Sequence, residues 1–328
     1  MAEVMATPGQ VIKVMEACYK AKLPVLLEGA PGVGKTSLST QLAKRLSVNG
    51  AIIDHKWRIT SIMDPVDFNG LPDIKSGETA WLTPAFYPRS GAGVWNWDEV
   101  NRSSPMTANV VMQSLLLGRI GDYEWPADWW QMCTMNPPGT RGVIPLPGGF
   151  YERCCHVRVK VSWEDWAAWA DDNGIADPVK LFLRNRPDLL ESTAGCGRSW
   201  EFISRIIKGN GLSMDRDTEI IAFAGVIGDG AAMEFVAFLD AWRRGRAINL
   251  DAIIASPSTA PLPDGVGTMF AVTAGLAKRA NPQNWPSVVS YFKRLSPEFG
   301  AFGVARAVKL MPILQSTREY RDWEIAHN

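Results

Sequence analysis

The sequence predicts an α/β fold built on a parallel sheet, followed by a region made of helices. Up to Val161, short apolar segments alternate with segments of helical periodicity, and this alternation is typical of a parallel sheet. Beyond Val161 the helical patterns continue without a convincing strand. We therefore predict two domains, an α/β core over residues 1–161 and a helical region over residues 162–328.

The composition is that of an ordinary globular protein. Hydrophobic residues make up 46% of the 328 residues and charged residues 21%, which is enough apolar material for a core. The 34 basic and 34 acidic residues balance, which disfavours a protein whose main task is to bind nucleic acid. The five cysteines form no C-x-x-C pair, so we expect reduced thiols and no zinc site. With no signal-peptide pattern and no apolar stretch of membrane length, we expect a cytoplasmic protein without membrane contact.

The predicted elements of the first half follow one another in a regular order. They are helices over residues 9–20, 35–46 and 105–117, strands over 24–28, 51–53, 93–97, 130–135 and 155–161, and hairpins over 74–82 and 119–130. Ser162 is the predicted N-cap of the helix that opens the second half, with Asp165 three residues later. The tryptophans at 163, 166 and 169 of this helix are predicted to pack as an apolar stripe.

A phosphate-binding loop follows the first strand. Residues 29–36 read G-A-P-G-V-G-K-T and match the pattern G-x-x-x-x-G-K-[ST] between a strand and a helix. Its glycines let backbone N–H groups close around phosphates, and the next helix points its positive N-terminus at them. Lys35 supplies a charge to the β- and γ-phosphates, and the Thr36 hydroxyl is a ligand for Mg²⁺. The predicted nucleotide contacts are Gly29, Ala30, Pro31, Gly32, Val33, Gly34, Lys35, Thr36 and Ser37.

A second strand ends in a pair of carboxylates. Residues 94–99 read V-W-N-W-D-E, so a strand brings Asp98 and Glu99 to the sheet edge beside the loop. There Asp98 can hold Mg²⁺ through water, and Glu99 can polarise an attacking water. Aliphatic residues would be usual before such a pair, and Asn96 in their place needs a buried partner. Together the two motifs predict a protein that binds ATP with Mg²⁺ and hydrolyses it.

Other nucleotide-binding classes fit the sequence less well. A Ras-type GTPase would carry an N-K-x-D motif for the base, and the chain has none. A small-molecule kinase would not need the long helical second half.

The order of these motifs resembles that of MoxR-like AAA+ ATPases. This group shares a helix 2 insert and a hairpin before sensor 1 with magnesium chelatase, midasin, dynein and MCM helicases. Residues 64–72, D-P-V-D-F-N-G-L-P, resemble the insert, and residues 119–125, R-I-G-D-Y-E-W, resemble the hairpin. Residues 145–153, P-L-P-G-G-F-Y-E-R, are similar to the family stretch PLPEAQLDRF, and residues 197–201 are similar to a "TPRSWE" lid. The resemblance covers residues 8 to about 207 and implies an AAA+ P-loop NTPase core with a helical lid.

The resemblance also implies roles for three further residues. Asn136, in C-T-M-N-P-P, would be sensor 1 and contact the γ-phosphate or the attacking water. Arg153 would be an arginine finger that acts on a neighbouring subunit. Arg198 would be sensor 2, in its own subunit or in a neighbour, and Arg119 is a weaker candidate for a residue acting in trans. With Glu99, the residues Asn136, Arg153 and Arg198 form the predicted catalytic set.

The same resemblance implies an assembly and a class of function. A finger supplied in trans requires a ring, and the family assembles as hexamers. The leading hypothesis is an ATP-driven remodelling motor that works with a von Willebrand factor A (VWA) domain protein on a client protein. A nucleic-acid motor or a restriction-type NTPase subunit is the alternative, which the neutral charge disfavours. A structural ring without hydrolysis is opposed by the intact set Lys35, Asp98, Glu99 and Asn136.

The insert, taken as residues 64–88, and the hairpin, residues 119–130, are the predicted contact region for the partner. Both mix aromatic residues with Gly and Asp, namely Phe68 in the insert and Tyr123 and Trp125 in the hairpin. We expect these rings to be exposed on loops and to grip protein. On this interpretation, Phe68→Ala would leave basal hydrolysis intact and uncouple it from the partner.

Overall fold

The computed structural model describes residues 4–48, 51–74, 80–191, 196–210 and 214–327. The chain divides into two compact units. The first comprises Met1–Asn173 with Cys196–Ser199, and the second comprises Gly174–Gly195 with Trp200–Asn328. The domain boundary predicted after residue 161 therefore lies inside the first unit.

Five parallel strands form the central sheet of the first unit, in the order β11-β1-β10-β7-β4. In the described part of the chain, six further strands pair into three antiparallel hairpins, β2 with β3, β5 with β6 and β8 with β9. The predicted parallel sheet is thus confirmed. The strands are β1 Val25–Glu28, β2 Ser47–Val48, β3 Ala51–Ile52, β4 Asp54–Ile59, β5 Leu71–Asp73, β6 Ala80–Leu82, β7 Ala92–Asp98, β8 Arg119–Ile120, β9 Tyr123–Glu124, β10 Asp128–Met135 and β11 Cys155–Arg158.

Helices cover the sheet and make up the second unit. Those that begin in the first unit are α1 Pro8–Lys20, α2 Lys35–Arg45, α3 Pro65–Asn69, α4 Pro105–Leu117, α5 Trp163–Asp172 and α7 Gly197–Asn210. Those of the second unit are α6 Asp177–Asn185, α8 Arg216–Ile227, α9 Asp229–Arg246, α10 Leu250–Ala255, α11 Val266–Arg279, α12 Trp285–Phe292, α13 Pro297–Leu310 and α14 Arg318–His327. After β11, the described part of the chain contains no further strand.

The two faces of the sheet bury different sets of side chains. Because neighbouring side chains on a strand point to opposite faces, Val94 of β7 packs in a cluster with residues of α1 and α2. Trp95 and Trp97 pack on the other face with residues of α4, such as Val111. Helix α2 is thus held against the sheet by its apolar positions, and this packing fixes the loop that precedes it.

The second strand of the sheet lies later in the chain than predicted. Residues 51–53 were expected to form it, but Ala51–Ile52 pairs in a small hairpin with Ser47–Val48. The sheet strand is β4, with the sequence D-H-K-W-R-I, at the edge of the sheet. None of its side chains is fully buried, so it lacks the apolar pattern by which buried strands are recognised.

The two predicted hairpins exist in altered form. The first was predicted over residues 74–82, and its strands β5 and β6 pair as an antiparallel ladder; residues 75–79 lie outside the described part. The second pairs Arg119 with Glu124 and Ile120 with Tyr123. Its turn therefore lies at residues 121–122, and the expected turn near residues 127–128 is wrong because Asp128 already begins β10.

The rings expected to be exposed on the insert and the hairpin are core residues instead. Phe68 is fully buried and packs on Trp97, with 5.4 Å between ring centroids. Tyr123 donates a hydrogen bond to Pro88 O at 2.6 Å. Trp125 donates from Nε1 to Ser114 Oγ at 2.8 Å. Rings buried and hydrogen-bonded in this way anchor the two segments to β7, and the expectation that Phe68 contacts a partner is wrong.

Asn96 lies at the centre of β7 without the buried partner expected from the sequence. Its side chain is fully buried, and neither amide atom has a hydrogen-bond partner among the described residues. A buried, unpaired carboxamide is costly. Its neighbours on the adjacent strands are Met132 and Trp57.

The tryptophan stripe of α5 belongs to the first unit. Trp163 stacks on Trp166 with 5.8 Å between centroids, and Trp169 follows at 6.3 Å from Trp166. The carboxylate of Asp165 accepts a hydrogen bond from Gly9 N at 2.9 Å, which ties α5 to the start of α1. Ser162 Oγ caps the helix as predicted, by accepting from Asp165 N.

The second unit has an aromatic core of its own. Its buried rings include Phe182, Trp200, Phe223, Phe235, Phe238 and Phe270. Glu219, fully buried, is paired with Arg243 at the end of α9. Among the described residues, no helix combines the length and apolar content that a membrane span requires.

The buried position of Phe68 predicts a stability defect. Phe68→Ala should lower the free energy of unfolding by about 3–5 kcal/mol, because it empties a ring-sized space against Trp97. Trp81→Ala, in the same insert but at an exposed position, is the matched control and should cost about 1 kcal/mol or less. Thermal or urea unfolding of the two variants measures the difference. Equal stabilities would contradict the packing described above.

Candidate functional site

The candidate site lies where three parallel strands end together. β1 and β10 pair in register, Glu28 opposite Met135, and Gly29 N donates to Met135 O at 3.2 Å. Asn136 therefore follows β10 directly beside the loop that follows β1. β7, on the other side of β10, ends at Asp98. The carboxyl ends of parallel strands share one edge of the sheet, and that edge is where such folds bind ligands.

The loop over residues 29–36 has the backbone that phosphate binding needs. Gly32 and Gly34 have positive φ angles of 78° and 93°, which favour glycine over other residues. Gly34 is the N-cap of α2 and provides no side-chain cap for the first N–H groups of the helix. Those donors are consequently available to an anionic ligand.

Lys35 is buried at the centre of the site. Its ammonium donates to Gly29 O at 2.6 Å, to Ala30 O at 3.1 Å and to Asn136 Oδ1 at 3.1 Å. Burial lowers the pKa of Lys35 to about 8, although the nearby carboxylates of Asp98 and Glu99 act to raise it. The predicted contact set of lysine, carboxylates and Asn136 is thus brought together.

Thr36 and Asp98 form the pair expected at a magnesium site. Thr36 Oγ1 donates to Asp98 Oδ2 at 3.0 Å, and Asp98 Oδ1 accepts from Thr134 Oγ1. The described residues contain no cluster of three or more His, Cys, Asp or Glu side chains suited to a metal. The two oxygens of Thr36 and Asp98 suit Mg²⁺ at a nucleotide, because that ion takes one or two protein oxygens and completes its shell with phosphates and water.

Glu99 has an unusual backbone conformation. Its φ angle is 59°, one of two positive values among the described residues other than glycine. The carboxylate accepts from Ser61 Oγ at 3.2 Å and lies 3.4 Å from Arg102 Nη1. A left-handed non-glycine residue is strained and persists where its surroundings hold it, which is frequent at functional sites.

Arg198 lies beside the phosphate-binding loop of its own chain. Residues 196–199 are part of the first unit. A Cβ atom on Gly32 would lie 2.3 Å from Cys196 Sγ and 3.7 Å from Arg198 Cβ, so this segment packs on the loop backbone. The Arg198 charge contributes to lowering the pKa of Lys35. Arg198 itself is exposed.

Arg153 lies near the amino ends of the strands, whereas the loop lies at their carboxyl ends. Arg153 precedes β11, whose first residue, Cys155, pairs with Val25 at the start of β1. The length of β1, about 13 Å at 3.3 Å per residue, separates this position from the loop after Glu28. The Arg153 guanidinium donates to Gly149 O, and its buried Nε has no acceptor in the described part of the chain. Arg119 is exposed at the start of β8.

Four residues of the site were not predicted. Asn101 bonds the backbone of Asn136, Thr134 bonds Asp98, and Ser61 bonds Glu99. His55 contacts Ser39 Oγ with Nε2 at 2.8 Å and Thr40 Oγ1 with Nδ1 at 3.3 Å, on the helix that follows the loop. Burial lowers the pKa of His55, which favours the neutral ring. Only Asn101 left a signal, as a polar residue two positions after the carboxylate pair.

Comparison with known proteins identifies part of the first unit. Residues 24–127 match the AAA domain of the dynein-related subfamily. The uncharacterized protein YeaC of Bacillus subtilis (strain 168) is 33% identical over 144 residues, which are 42% of this chain and 42% of that protein. The match thus spans less than half the length of the Bacillus protein.

Three solved structures show distant likenesses. Hsp104 in its closed state with ATPγS and FITC-casein has a TM-score of 0.37 and 16% identity, over 52% of this chain and 36% of its own. A candidate ATPase from Cytophaga hutchinsonii has a TM-score of 0.37 and 15% identity, over 91% and 80%. NtrX from Brucella abortus has a TM-score of 0.42 and 11% identity, over 65% and 53%. Likenesses of this size leave function open.

The family match includes the phosphate-binding loop and the Asp98–Glu99 strand, and it ends before Asn136. The strand order and the convergence of these residues agree with it. Residues 24–127, less than half of the chain, are thus similar to the AAA domain of the dynein-related subfamily.

Proposed function

We propose that the protein hydrolyses ATP and uses the reaction to remodel a protein partner. The observation that carries the first half of this proposal is the convergence of Lys35, Asp98 and Asn136 within hydrogen-bonding reach of one loop. An ammonium held by two backbone carbonyls and an amide oxygen is poised to exchange them for phosphate oxygens. A bound polyphosphate would also offset the burial that lowers the pKa of Lys35.

Each residue of the site has a separate role in the proposed hydrolysis. Lys35 and the N–H groups of the loop hold the β- and γ-phosphates. Thr36 and Asp98 would hold a magnesium ion, which would supply positive charge to offset the negative charge that develops during the reaction. Glu99 accepts the proton of the attacking water, and Asn136 orients that water or the γ-phosphate. Ser61 and Arg102 hold the Glu99 carboxylate at this edge of the sheet.

The two arginines have different roles in this proposal. Arg198 is packed against the loop of its own chain and serves that nucleotide. Arg153 lies a strand length away from the same loop, so it reaches a nucleotide only if a neighbouring subunit presents one. A ring of identical subunits, six in the related family, provides such an arrangement and completes each site with a second cation.

The insert presents a surface suited to a protein partner. We define the insert surface as the exposed apolar side chains of residues 62–82: Ile62, Val66, Leu71, Ile74, Trp81 and Leu82. Beside it lie the exposed carboxylates of Asp64, Asp67, Asp122 and Glu124. A hollow of about 250 Å³ between insert and hairpin is lined by Trp81, Ile120 and Tyr123, among others. Clustered apolar residues favour a polypeptide, and carboxylates repel a phosphate backbone.

The resemblance to MoxR-like proteins extends the proposal to a VWA-domain protein as the partner. A nucleic-acid motor is the second candidate, and no observation on the insert surface favours it. The balanced charge of the chain also disfavours a nucleic-acid motor.

The first test is hydrolysis itself. Glu99→Gln should keep ATP binding and abolish turnover, because the amide cannot accept the proton of water. Lys35→Ala should weaken binding. Glu124→Gln, an exposed carboxylate on the hairpin, is the matched control and should keep the wild-type rate. ATPase assays and nucleotide-affinity measurements decide the matter, and wild-type turnover by Glu99→Gln would refute the assignment.

A second test separates the arginines by mixing subunits. Arg153→Ala should lower kcat on the order of 10³-fold, and mixing it with Lys35→Ala subunits should restore some activity. Recovery is expected because an intact loop in one subunit meets an intact Arg153 in the next. Arg198→Ala mixed with Lys35→Ala should show no recovery, since each subunit then carries a defect in its own site. The reverse pattern in rings shown to be mixed would contradict the assignment.

A third test concerns the partner. Leu82→Ser should keep basal ATPase activity and reduce both capture of a VWA-domain protein from the same genome and the effect of that protein on the ATPase. Leu310→Ser is the matched control, because the two leucines are exposed to 57% and 55% and Leu310 lies in the second unit. A DNA titration at low and high salt runs in parallel. Tight, salt-sensitive DNA binding that stimulates the ATPase, without a protein partner, would favour the nucleic-acid motor.

A further inference from the structure

We propose that Asn101 is a positioning residue for ATP hydrolysis, which fixes Asn136 and the strained turn at Glu99 as one unit. The inference rests on the proposed ATPase function. Asn101 lies in the short 3-10 turn after β7 and is 3% exposed. Its side chain bonds the backbone of Asn136 and neither Lys35 nor Thr36, so it acts through the segments that it positions.

The contact between the two asparagines uses both ends of one carboxamide. Asn101 Nδ2 donates to Asn136 O at 2.7 Å, and Asn136 N donates to Asn101 Oδ1 at 3.1 Å. This pair reproduces the exchange of N–H and C=O bonds between two strands. Both residues are buried, so each bond is shielded from water and costly to leave unmade.

This pair is needed where it occurs because the sheet has ended. The last registered pair between β10 and β7 is Cys133 with Trp97. Asn136 lies three residues further on and is followed by two prolines, which have no N–H group to anchor the chain. On the β1 side, Gly29 N bonds Met135 O. On the β7 side, the Asn101 side chain bonds the N–H and C=O groups of Asn136, which the ladder no longer pairs.

The position of the Asn136 side chain follows from this backbone anchor. Its Oδ1 accepts from Lys35 Nζ at 3.1 Å, so a shift of the backbone would move the carboxamide away from the phosphate-binding ammonium. Displacement of a positioned group by about 1 Å can cost about 10²-fold in rate. The backbone of Asn101 is itself held in place, because Ile144 N donates to Asn101 O at 2.7 Å.

Asn101 also closes a turn that is held at its other end by Thr134. Glu99 N donates to Thr134 Oγ1 at 3.1 Å. Residues 98–101 are therefore bonded to residues 134–136 on both sides of Glu99, whose φ angle is 59°. Such a backbone persists only where neighbouring bonds hold it. Loss of the Asn101 pair would free the turn and the Glu99 carboxylate with it.

Asn96 provides a matched control in the adjoining strand. It is a buried asparagine like Asn101, but its amide atoms have no hydrogen-bond partner among the described residues. Asn96→Leu should therefore keep wild-type kcat and a melting temperature at least equal to that of the wild type. Asn101→Ala should lower kcat by about 10- to 100-fold, with an ATP Kd within about threefold of wild type, because the loop and Lys35 are unchanged.

The pH dependence of Asn101→Asp tests whether the paired hydrogen bonds of Asn101 are needed for turnover. When ionised, the introduced carboxylate accepts from Asn136 N but has no proton to donate to Asn136 O, so this variant should be as slow as Asn101→Ala. Once protonated, the same group again offers a donor and an acceptor. The ratio of kcat for Asn101→Asp to wild-type kcat should therefore rise at least about fivefold as the pH falls from about 8 to about 5.5. Using the ratio cancels the pH effects that both proteins share.

Amide hydrogen exchange provides a readout that does not depend on activity. In Asn101→Ala, the peptide over residues 133–138 should exchange at least about tenfold faster, because Asn136 N loses its acceptor and the prolines contribute no amide signal. Asn96→Leu should leave that exchange unchanged. A wild-type protein without ATPase activity would refute the proposed function, whereas unchanged exchange in Asn101→Ala would refute the anchor itself.

Two further results would overturn the positioning role. Wild-type kcat in Asn101→Ala would show that Asn136 needs no anchor. A slow Asn101→Asp variant whose ratio to wild type stays flat with pH would show that Asn101 acts through packing and not through its paired hydrogen bonds. Thermal unfolding of every variant in parallel ensures that the compared proteins are folded.

Discussion

The parallel pairing of β1 with β10 is the constraint on which the candidate site depends. Its register places Glu28 opposite Met135, so the residues that follow each strand meet at one edge. Lys35 and Asn136 are 101 positions apart in the chain, yet their side chains are hydrogen-bonded. A shift of one residue would turn the side chains of β10 to the other face, and its buried residues fill both apolar clusters. Core packing therefore protects the geometry of the site.

Burying the positive charge of Lys35 is unfavourable in the absence of a ligand, and an anionic ligand would offset this cost. Burial lowers the pKa of its ammonium to about 8, so the folded protein binds this proton less tightly than an unfolded chain would. Two backbone carbonyls and Asn136 meet the hydrogen-bonding needs of the group but supply no full negative charge. A polyphosphate supplies that charge, and ligand binding then stabilises the protonated form.

Local motifs could be predicted from the sequence, and contacts between distant segments could not. The loop at Lys35 and the carboxylates at Asp98 depend on spacing within a few residues, and their positions were predicted. β4 was missed because an edge strand with half-exposed side chains has no apolar alternation. Phe68 was misplaced because an aromatic residue among Asp and Gly looks like a surface loop until Trp97 is packed against it. The role of Asn101 depends on a residue 35 positions away.

The tryptophans of β7 explain why this strand departs from the aliphatic pattern. Trp97 directly precedes Asp98 and packs on Phe68 of the insert at 5.4 Å and on Trp125 of the hairpin at 6.0 Å. Trp95 lies 4.9 Å from Trp125 and completes the group. Aliphatic side chains would be too short to reach both segments from one strand. Because packed cores tolerate little change in volume, displacing the insert or the hairpin requires these rings to repack against the strand that carries Asp98.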